Sequence, residues 1–433
     1  METPRFPSPR RARVRSGLRR SLVPLTAAAL MLGTLGAGSA IAEPEYDRYV
    51  VDGASTAQDR TAISSTGAAI DQVAADEVLV TATPDEAAKI TALGFEVEGL
   101  EIMQTFATPD PGYTTYTELL DFIDDTVSDH PGLITSSVIG TSYQGRDIVA
   151  VKISDNATAD ENEPEVLFTH GQHAREHLTV EMAVYLMDLL TDEYGADPRI
   201  TDLVDGREIW IIPNVNPDGS AYDMATSNWR NWRKNRQPNS GSSYVGTDLN
   251  RNWDYNWGCC GGSSGSPSSS TYRGPAPESA TEVQVVADFV RGRVVNGEQQ
   301  ITSAIDFHTY SELILWPFGY TYSDVTGGMN LDEYNTHVAL GTHMANANGY
   351  TPQQSSDLYI TDGSINDWLW GDQRIVNFTY EMYPRSAWSG GGFYPPSSVI
   401  DRETERNREA VLRLLDYADC PYRIIGEEDA YCG

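Results

Sequence analysis

One stretch constrains this chain more than any other. Residues 165–169 (Glu-Val-Leu-Phe-Thr) read as a strand and pass without a spacer into His170-Gly171-Gln172-His173-Ala174-Arg175-Glu176-His177. From His177 onward Leu178, Met182, Tyr185, Leu186 and Leu189 recur at helical spacing, to residue 194. A strand, a turn dense in metal-capable side chains and an amphipathic helix in direct succession point to an α/β sheet, whose ligands gather where loops leave the strand ends. Further strands are expected at 147–154, 208–212, 301–307 and 375–381, and helices at 117–128, 332–348 and 402–418. Alternation of this kind over roughly 300 residues predicts an α/β fold, a single large mixed β-sheet flanked by helices.

The ends of the chain carry a different composition. The first 20 residues hold seven arginines and one acid, followed by an apolar run at 22–35 and by Ala40-Ile41-Ala42. Residues 1–42 are expected to be a signal peptide, the apolar run being too short and too broken by Gly33 and Gly36 for a membrane anchor. Arg19-Arg20 leaves general secretory and twin-arginine export both open. The net charge is −32 for all 433 residues and −38 without the first 42. So acidic a chain does not suit nucleic acid or an anionic membrane surface, and no other run could span a bilayer. The expectation is a secreted protein with no nucleic-acid partner, and none in the membrane once the signal is cleaved. Surface calcium is compatible with the acidity, but the sequence does not specify it.

Four cysteines in an exported chain suggest two disulfides. Cys420 with Cys432 would clip the C-terminal tail, leaving the adjacent Cys259 and Cys260 to each other; cross-pairing stays open. Residues 43–108 contain a strand at 77–82 and a helix at 84–93, and form either a small α+β propeptide or an N-terminal subdomain of the working protein. Thr108-Pro109-Asp110-Pro111-Gly112 is a turn-forming linker, and 261–270 is a Gly/Ser-rich loop.

His173 and Glu176 have the spacing of two metal ligands on one side of a tight turn. Catalytic zinc takes three protein ligands and keeps a position open, so a third must come from elsewhere. His308, at the end of an apolar strand, is the best candidate. The same residues also match His-x-x-Glu-His, in which His173 and His177 would bind zinc and Glu176 would be the base. Taken alone, the residues leave both readings open.

Downstream lie PNVNPDG at 213–219, RNWRKNR at 230–236, TDLNRNW at 247–253, DFHTYSELILWPFGY at 306–320, LYITDGSINDW at 358–368 and FTYEM at 378–382. With HGQHAREH at 170–177, these resemble the zinc metallocarboxypeptidases of the A, B and T types, most closely the secreted bacterial T branch, from about residue 113 to 416. The resemblance implies a 109–433 catalytic domain with one zinc ion on His173, Glu176 and His308, and a propeptide at 43–108 that keeps it latent. Asp248 would hydrogen-bond a ligating histidine. It further implies Glu381 as general base and Arg233 as oxyanion stabiliser. Arg251, Asn250 and Tyr359, with Arg175 further out, would hold the C-terminal carboxylate of a peptide or protein substrate. Thr379 and Phe393 would line the pocket for the departing side chain. Asn366 and Ser364 stand where basic-specific relatives carry acids. That implies hydrophobic or aromatic C-terminal residues with broad tolerance, Asp362 being the remaining carboxylate that could admit basic ones. A monomer is expected. The rivals are an inverted-zincin metalloendopeptidase and an inactive binding module, and the second conflicts with the retention of every ligand, clamp and base position.

Overall fold

A computed structural model describes residues 46–100 and 108–433; the expected signal peptide and residues 101–107 lie outside them. The described residues form one compact unit. Its N-terminal part is an antiparallel sheet of β1 (Asp47–Asp52), β2 (Ala69–Val73), β3 (Glu77–Ala82) and β4 (Glu96–Gly99), in the order β2-β3-β1-β4. Helices α1 (Ala57–Ser64) and α2 (Pro84–Ala92) start at Thr56 and Thr83, each of which exchanges side-chain and backbone hydrogen bonds with an acid three residues on. Val51, Ile63, Val78, Val80 and Ile90 make a core of their own beneath these helices.

The rest of the unit is built on a mixed sheet of eight strands. These are β5 (Ile134–Thr141), β6 (Asp147–Ile153), β7 (Glu165–His170), β8 (Glu208–Ile212), β11 (Ile301–Thr309), β12 (Leu313–Trp316), β13 (Thr351–Gln354) and β14 (Val376–Met382). A two-stranded ribbon, β9 (Val294–Val295) with β10 (Glu298–Gln299), stands apart. The order is β13-β12-β14-β11-β7-β8-β6-β5, and the middle four strands, β14, β11, β7 and β8, are parallel. Parallel strands are covered on both faces, and all six residues of β7 are buried. Side-chain alternation sends Val166 and Phe168 into one core, shared with α3 (Tyr116–Asp129) and α4 (Leu178–Asp192). It sends Leu167 into the other, with Val283, Val286 and Ala287 of the helix Thr281–Gly292. The result is the expected single large mixed sheet flanked by helices.

Three strands of this sheet escape sequence reading for a physical reason. β5 is an edge strand with most of its residues at least partly exposed, and β12 has only four residues. β13, the other edge, reads Thr-Pro-Gln-Gln, with a proline that only an edge tolerates. The helix expected at 402–418 is two, Ile400–Glu405 and Arg408–Asp416. Asn407 causes the break: its side chain takes the Glu403 carbonyl at 2.9 Å, and its own backbone N–H turns to Thr404. Both disulfides form, Cys259 with Cys260 and Cys420 with Cys432. Because Phe168 is fully buried beneath α4, Phe168→Ala should lower the unfolding free energy by about 3–5 kcal/mol in chemical denaturation.

Candidate active site

The parallel centre of the sheet decides where chemistry can occur. After β7 the chain proceeds to β8 on one side, while β11 and β14 pair on the other, so the carboxyl ends of β7 and β11 flank a switch point. His173 and Glu176 lie in the turn that leaves β7. That turn begins at Gly171, whose φ is +68° and whose added Cβ would meet the Asn214 side chain at 3.0 Å. His308 is the next-to-last residue of β11, and the parallel register sets it directly opposite Glu381 of β14.

Three side chains converge there. His173 Nδ1 lies 2.8 Å from Glu176 Oε1 and 3.1 Å from His308 Nδ1, and His308 Nδ1 lies 3.0 Å from Glu176 Oε2. The opposite nitrogens face carboxylates: His173 Nε2 is 3.1 Å from Asp248, and His308 Nε2 is 2.5 Å from Asp306. If each Nε2 donates its proton to its carboxylate, both Nδ1 lone pairs point at one spot, with a carboxylate completing the ring. Such a set of acceptors needs a cation, and two imidazoles with one carboxylate suit zinc. His173, Glu176 and His308 could therefore hold a metal ion.

The electrostatics show that the site favours positive charge. Burial raises the Glu176 carboxyl, but the His173 and His308 rings outweigh it and hold it below the usual carboxylate range. Burial likewise opposes the charged His308 ring, yet Asp306 and Glu176 hold it well above the ordinary histidine range. Asp248 is raised by burial and brought low by Arg233 and His173. Asp306 is oriented by Thr169 Oγ1 and Gln172 Nε2, each at 2.6 Å. Sequence reading assigned Asp306 no role, although its spacing of two from His308 on one strand places both on the same face.

His177 is not part of this group. Its Nε2 contacts Asp223 at 2.9 Å, and its ring packs against Trp229 with centroids 4.7 Å apart, at the start of α4.

A cleft of about 330 Å³ opens beside this group, with His173 and Glu176 in its wall. Arg233, Asn250, Arg251, Tyr359, Thr379, Glu381 and Phe393 all line it. Arg233 is aimed by Asp248, 3.0 Å from both its Nε and its Nη2. Arg251 gives Nε to the Gly262 carbonyl at 2.9 Å and Nη1 to the Asn250 carbonyl at 2.7 Å. Burial, more than any neighbour, pushes the Glu381 carboxyl up to about 8, with Glu176 adding to the rise and His308 and Arg233 opposing it.

Two expected residues are placed differently from the reading above. Arg175 is fully buried, ion-paired to Asp71 of β2 at 2.7 Å and laid over the Phe393 ring at 3.8 Å. Asp362, the carboxylate left to admit a basic side chain, is buried too. Its Oδ2 accepts from the backbone nitrogens of Gly262 at 2.9 Å and Cys260 at 3.2 Å, and its Oδ1 from Ser263 Oγ. The resemblance implied that residues 43–108 cover the cleft, but not that Ile70, Asp71, Gln72 and Val73 would be the ones to wall it, because nothing in β2 marks a partner so distant along the chain.

Residues 119–410 match the sequence profile described as zinc carboxypeptidase. The chain is 47% identical to a zinc carboxypeptidase of Saccharothrix mutabilis subsp. capreolus, over 86% of this chain and 89% of that one. It is 34% identical to carboxypeptidase A1 of Rattus norvegicus, over 70% of each. The carboxypeptidase A structure from Helicoverpa armigera has the same fold, with a TM-score of 0.71 at 22% identity, over 87% of this chain and 98% of that one. The chain thus belongs to the zinc carboxypeptidase family and is a metallocarboxypeptidase.

The raised Glu381 pKa gives a testable sign. In metal-free protein its neutral form is favoured by folding, so its contribution to stability is complete below about pH 4.5, the ordinary glutamate value, and is lost as pH rises through about 8. Melting curves of metal-free Glu381→Gln against metal-free wild type between pH 5 and 9 should show the variant gaining relative stability as pH rises.

Proposed function

We propose that this chain is a secreted, monomeric, zinc-dependent exopeptidase that releases single residues, preferentially hydrophobic or aromatic, from the C-termini of peptides and proteins. The observation that carries the reading is the pairing of Glu381 with His308 across adjacent strands, on a cleft that Arg251 also lines. His173, Glu176 and His308 are the proposed ligands of one zinc ion per chain, which would supply Lewis acidity toward a peptide carbonyl and toward water.

Glu381 takes a proton from the attacking water as the water oxygen bonds to the scissile carbonyl carbon. It then passes that proton to the amide nitrogen as the C–N bond breaks. Arg233, aimed by Asp248, stabilises the oxyanion that develops on the carbonyl oxygen. The Arg251 guanidinium and the Asn250 amide hold the substrate carboxylate through charge-assisted hydrogen bonds, and Tyr359 covers it. Arg175 extends the site once Asp71 is withdrawn.

For the departing side chain, Ser355, Thr361, Ser364, Asn366 and Thr379 line the cleft without charge. Asp367 accepts from the Gly319 and Tyr320 nitrogens at 2.7 and 3.0 Å, and Asp362 is engaged as described. Neither is free to pair with lysine or arginine, which supports a preference for uncharged residues.

Residues 1–42 are the proposed export signal and 43–108 a propeptide that keeps the 109–433 catalytic domain latent. Support comes from Asp71 on Arg175 and from α1, which holds both flanks of Tyr359. Arg60 donates to the carbonyls of Asp357 and Leu358 at 2.9 and 2.6 Å, and Ile360 N donates to Thr61 Oγ1 at 2.9 Å.

The direct test is mass spectrometry of a mixed peptide library after digestion, where loss of single C-terminal residues is expected and internal cleavage would sink the exopeptidase reading. In the same assay Glu381→Gln should retain zinc and lose roughly 10²–10⁴-fold in kcat/KM, the usual contribution of general acid–base catalysis. His308→Ala should lose zinc by elemental analysis while His177→Ala keeps it; the reverse pattern would restore the inverted-zincin reading. Latency is checked separately: a chain beginning near Pro109 should be at least about tenfold more active than the signal-less full chain, since a blocked cleft binds substrate only in its open fraction.

A further inference from the structure

Asp362 presents an unusual use of a carboxylate beside a substrate cleft. It is buried, and both its oxygens are committed to the 260–263 segment, through Cys260 N, Gly262 N and Ser263 Oγ. That segment offers Arg251 one acceptor, the Gly262 carbonyl, which takes its Nε hydrogen at 2.9 Å. The backbones involved meet more closely than side chains would permit. A Cβ at Gly262 would lie 2.7 Å from Asp362 N and closer still to the Thr361 backbone. At Gly363, where φ is +63°, a Cβ would lie 2.6 Å from the Arg251 carbonyl. The adjacent Cys259–Cys260 bridge restricts the same segment from its other end.

We propose that Asp362 is a positioning residue for the carboxylate clamp: by tying down residues 260–263 it fixes the Gly262 carbonyl that orients the Arg251 guanidinium, and it does not read the departing side chain. A guanidinium binds a carboxylate well only when its plane is fixed, because the two hydrogen bonds of the pair must form together. Arg251 has its plane set by two backbone carbonyls, Gly262 and Asn250, and only the first stands on a separate segment that needs an anchor of its own. A buried carboxylate accepting three hydrogen bonds is such an anchor, since each bond is charge-assisted and none is shared with solvent. The inference rests on the proposed role of Arg251.

The test uses the zinc-loaded full chain, before and after limited proteolysis, with matched peptides ending in Phe, Leu and Lys. Asp362→Asn removes the charge from the anchor: its one remaining oxygen accepts from Cys260 N and Gly262 N without charge assistance, and its amide nitrogen can meet Ser263 Oγ only as a donor. It should lower kcat/KM about tenfold for all three peptides alike, mainly through KM, as expected for a misplaced charge-assisted pair, with zinc content unchanged. Gly262→Ala displaces the same carbonyl, its Cβ pressing on the Thr361 and Asp362 backbone while the Asp362 carboxylate is kept, and should give the same pattern; it decides the matter if Asp362→Asn fails to fold. A loss confined to the Lys peptide would make Asp362 a specificity residue and overturn the proposal, as would unchanged constants in both variants. Arg251→Ala is measured alongside. If it leaves hydrolysis of free-acid peptides intact, the clamp reading itself fails; if it is defective while Asp362→Asn and Gly262→Ala are not, only the positioning role fails.

Discussion

Everything at the cleft depends on an electrostatic imbalance. Two histidine nitrogens and a carboxylate face each other within about 3 Å in a buried site, and no arrangement of protons satisfies them as well as a cation does. Asp248 and Asp306 sharpen the imbalance by drawing the ring protons to the far side of each histidine. Both carboxylates are themselves bound, Asp248 by Arg233 and Asp306 by Thr169 and Gln172, so the order extends outward through buried and partly buried polar contacts.

The parallel pairing of β7, β11 and β14 is what brings the parts together. Residues 173, 308 and 381 are far apart along the chain but close to the ends of three adjacent strands. Parallel neighbours end on the same side of a sheet, so their loops share one edge. A one-residue slip between β11 and β14 would turn Glu381 away from His308, to the opposite face. The two cores on the sheet's faces, through residues such as Phe168 and Leu167, hold that register.

The N-terminal sheet uses the same cleft from outside. β2 contributes Asp71 to the buried ion pair with Arg175, and α1 grips the backbone on both sides of Tyr359. A buried pair of this kind is costly to break from one side only, since the remaining charge is left without a partner.

The apolar strands at the centre of the sheet, the long helices and the metal-capable turn were legible in the sequence, because burial on both faces and helical periodicity leave local signatures. β7, α4 and the helix Leu331–Asn348 fall within a residue or two of expectation. Residue types and spacing made His173, Glu176 and His308 a candidate group, which only the resemblance to the metallocarboxypeptidases singled out. What they could not decide was the role of His177, one position from Glu176. Only the direction of the helix start, which turns its ring toward Asp223 and Trp229, separates it from the site. Edge strands such as β5 and β13 carry no apolar pattern because water covers them, and the break at Asn407 comes from a side-chain hydrogen bond that periodicity cannot register. Asp362 is the clearest case of tertiary decision. In sequence it is one more acid near a pocket; in the fold its charge faces three donors from a segment 100 residues away, and that pairing, not its position in the motif, determines what it can do.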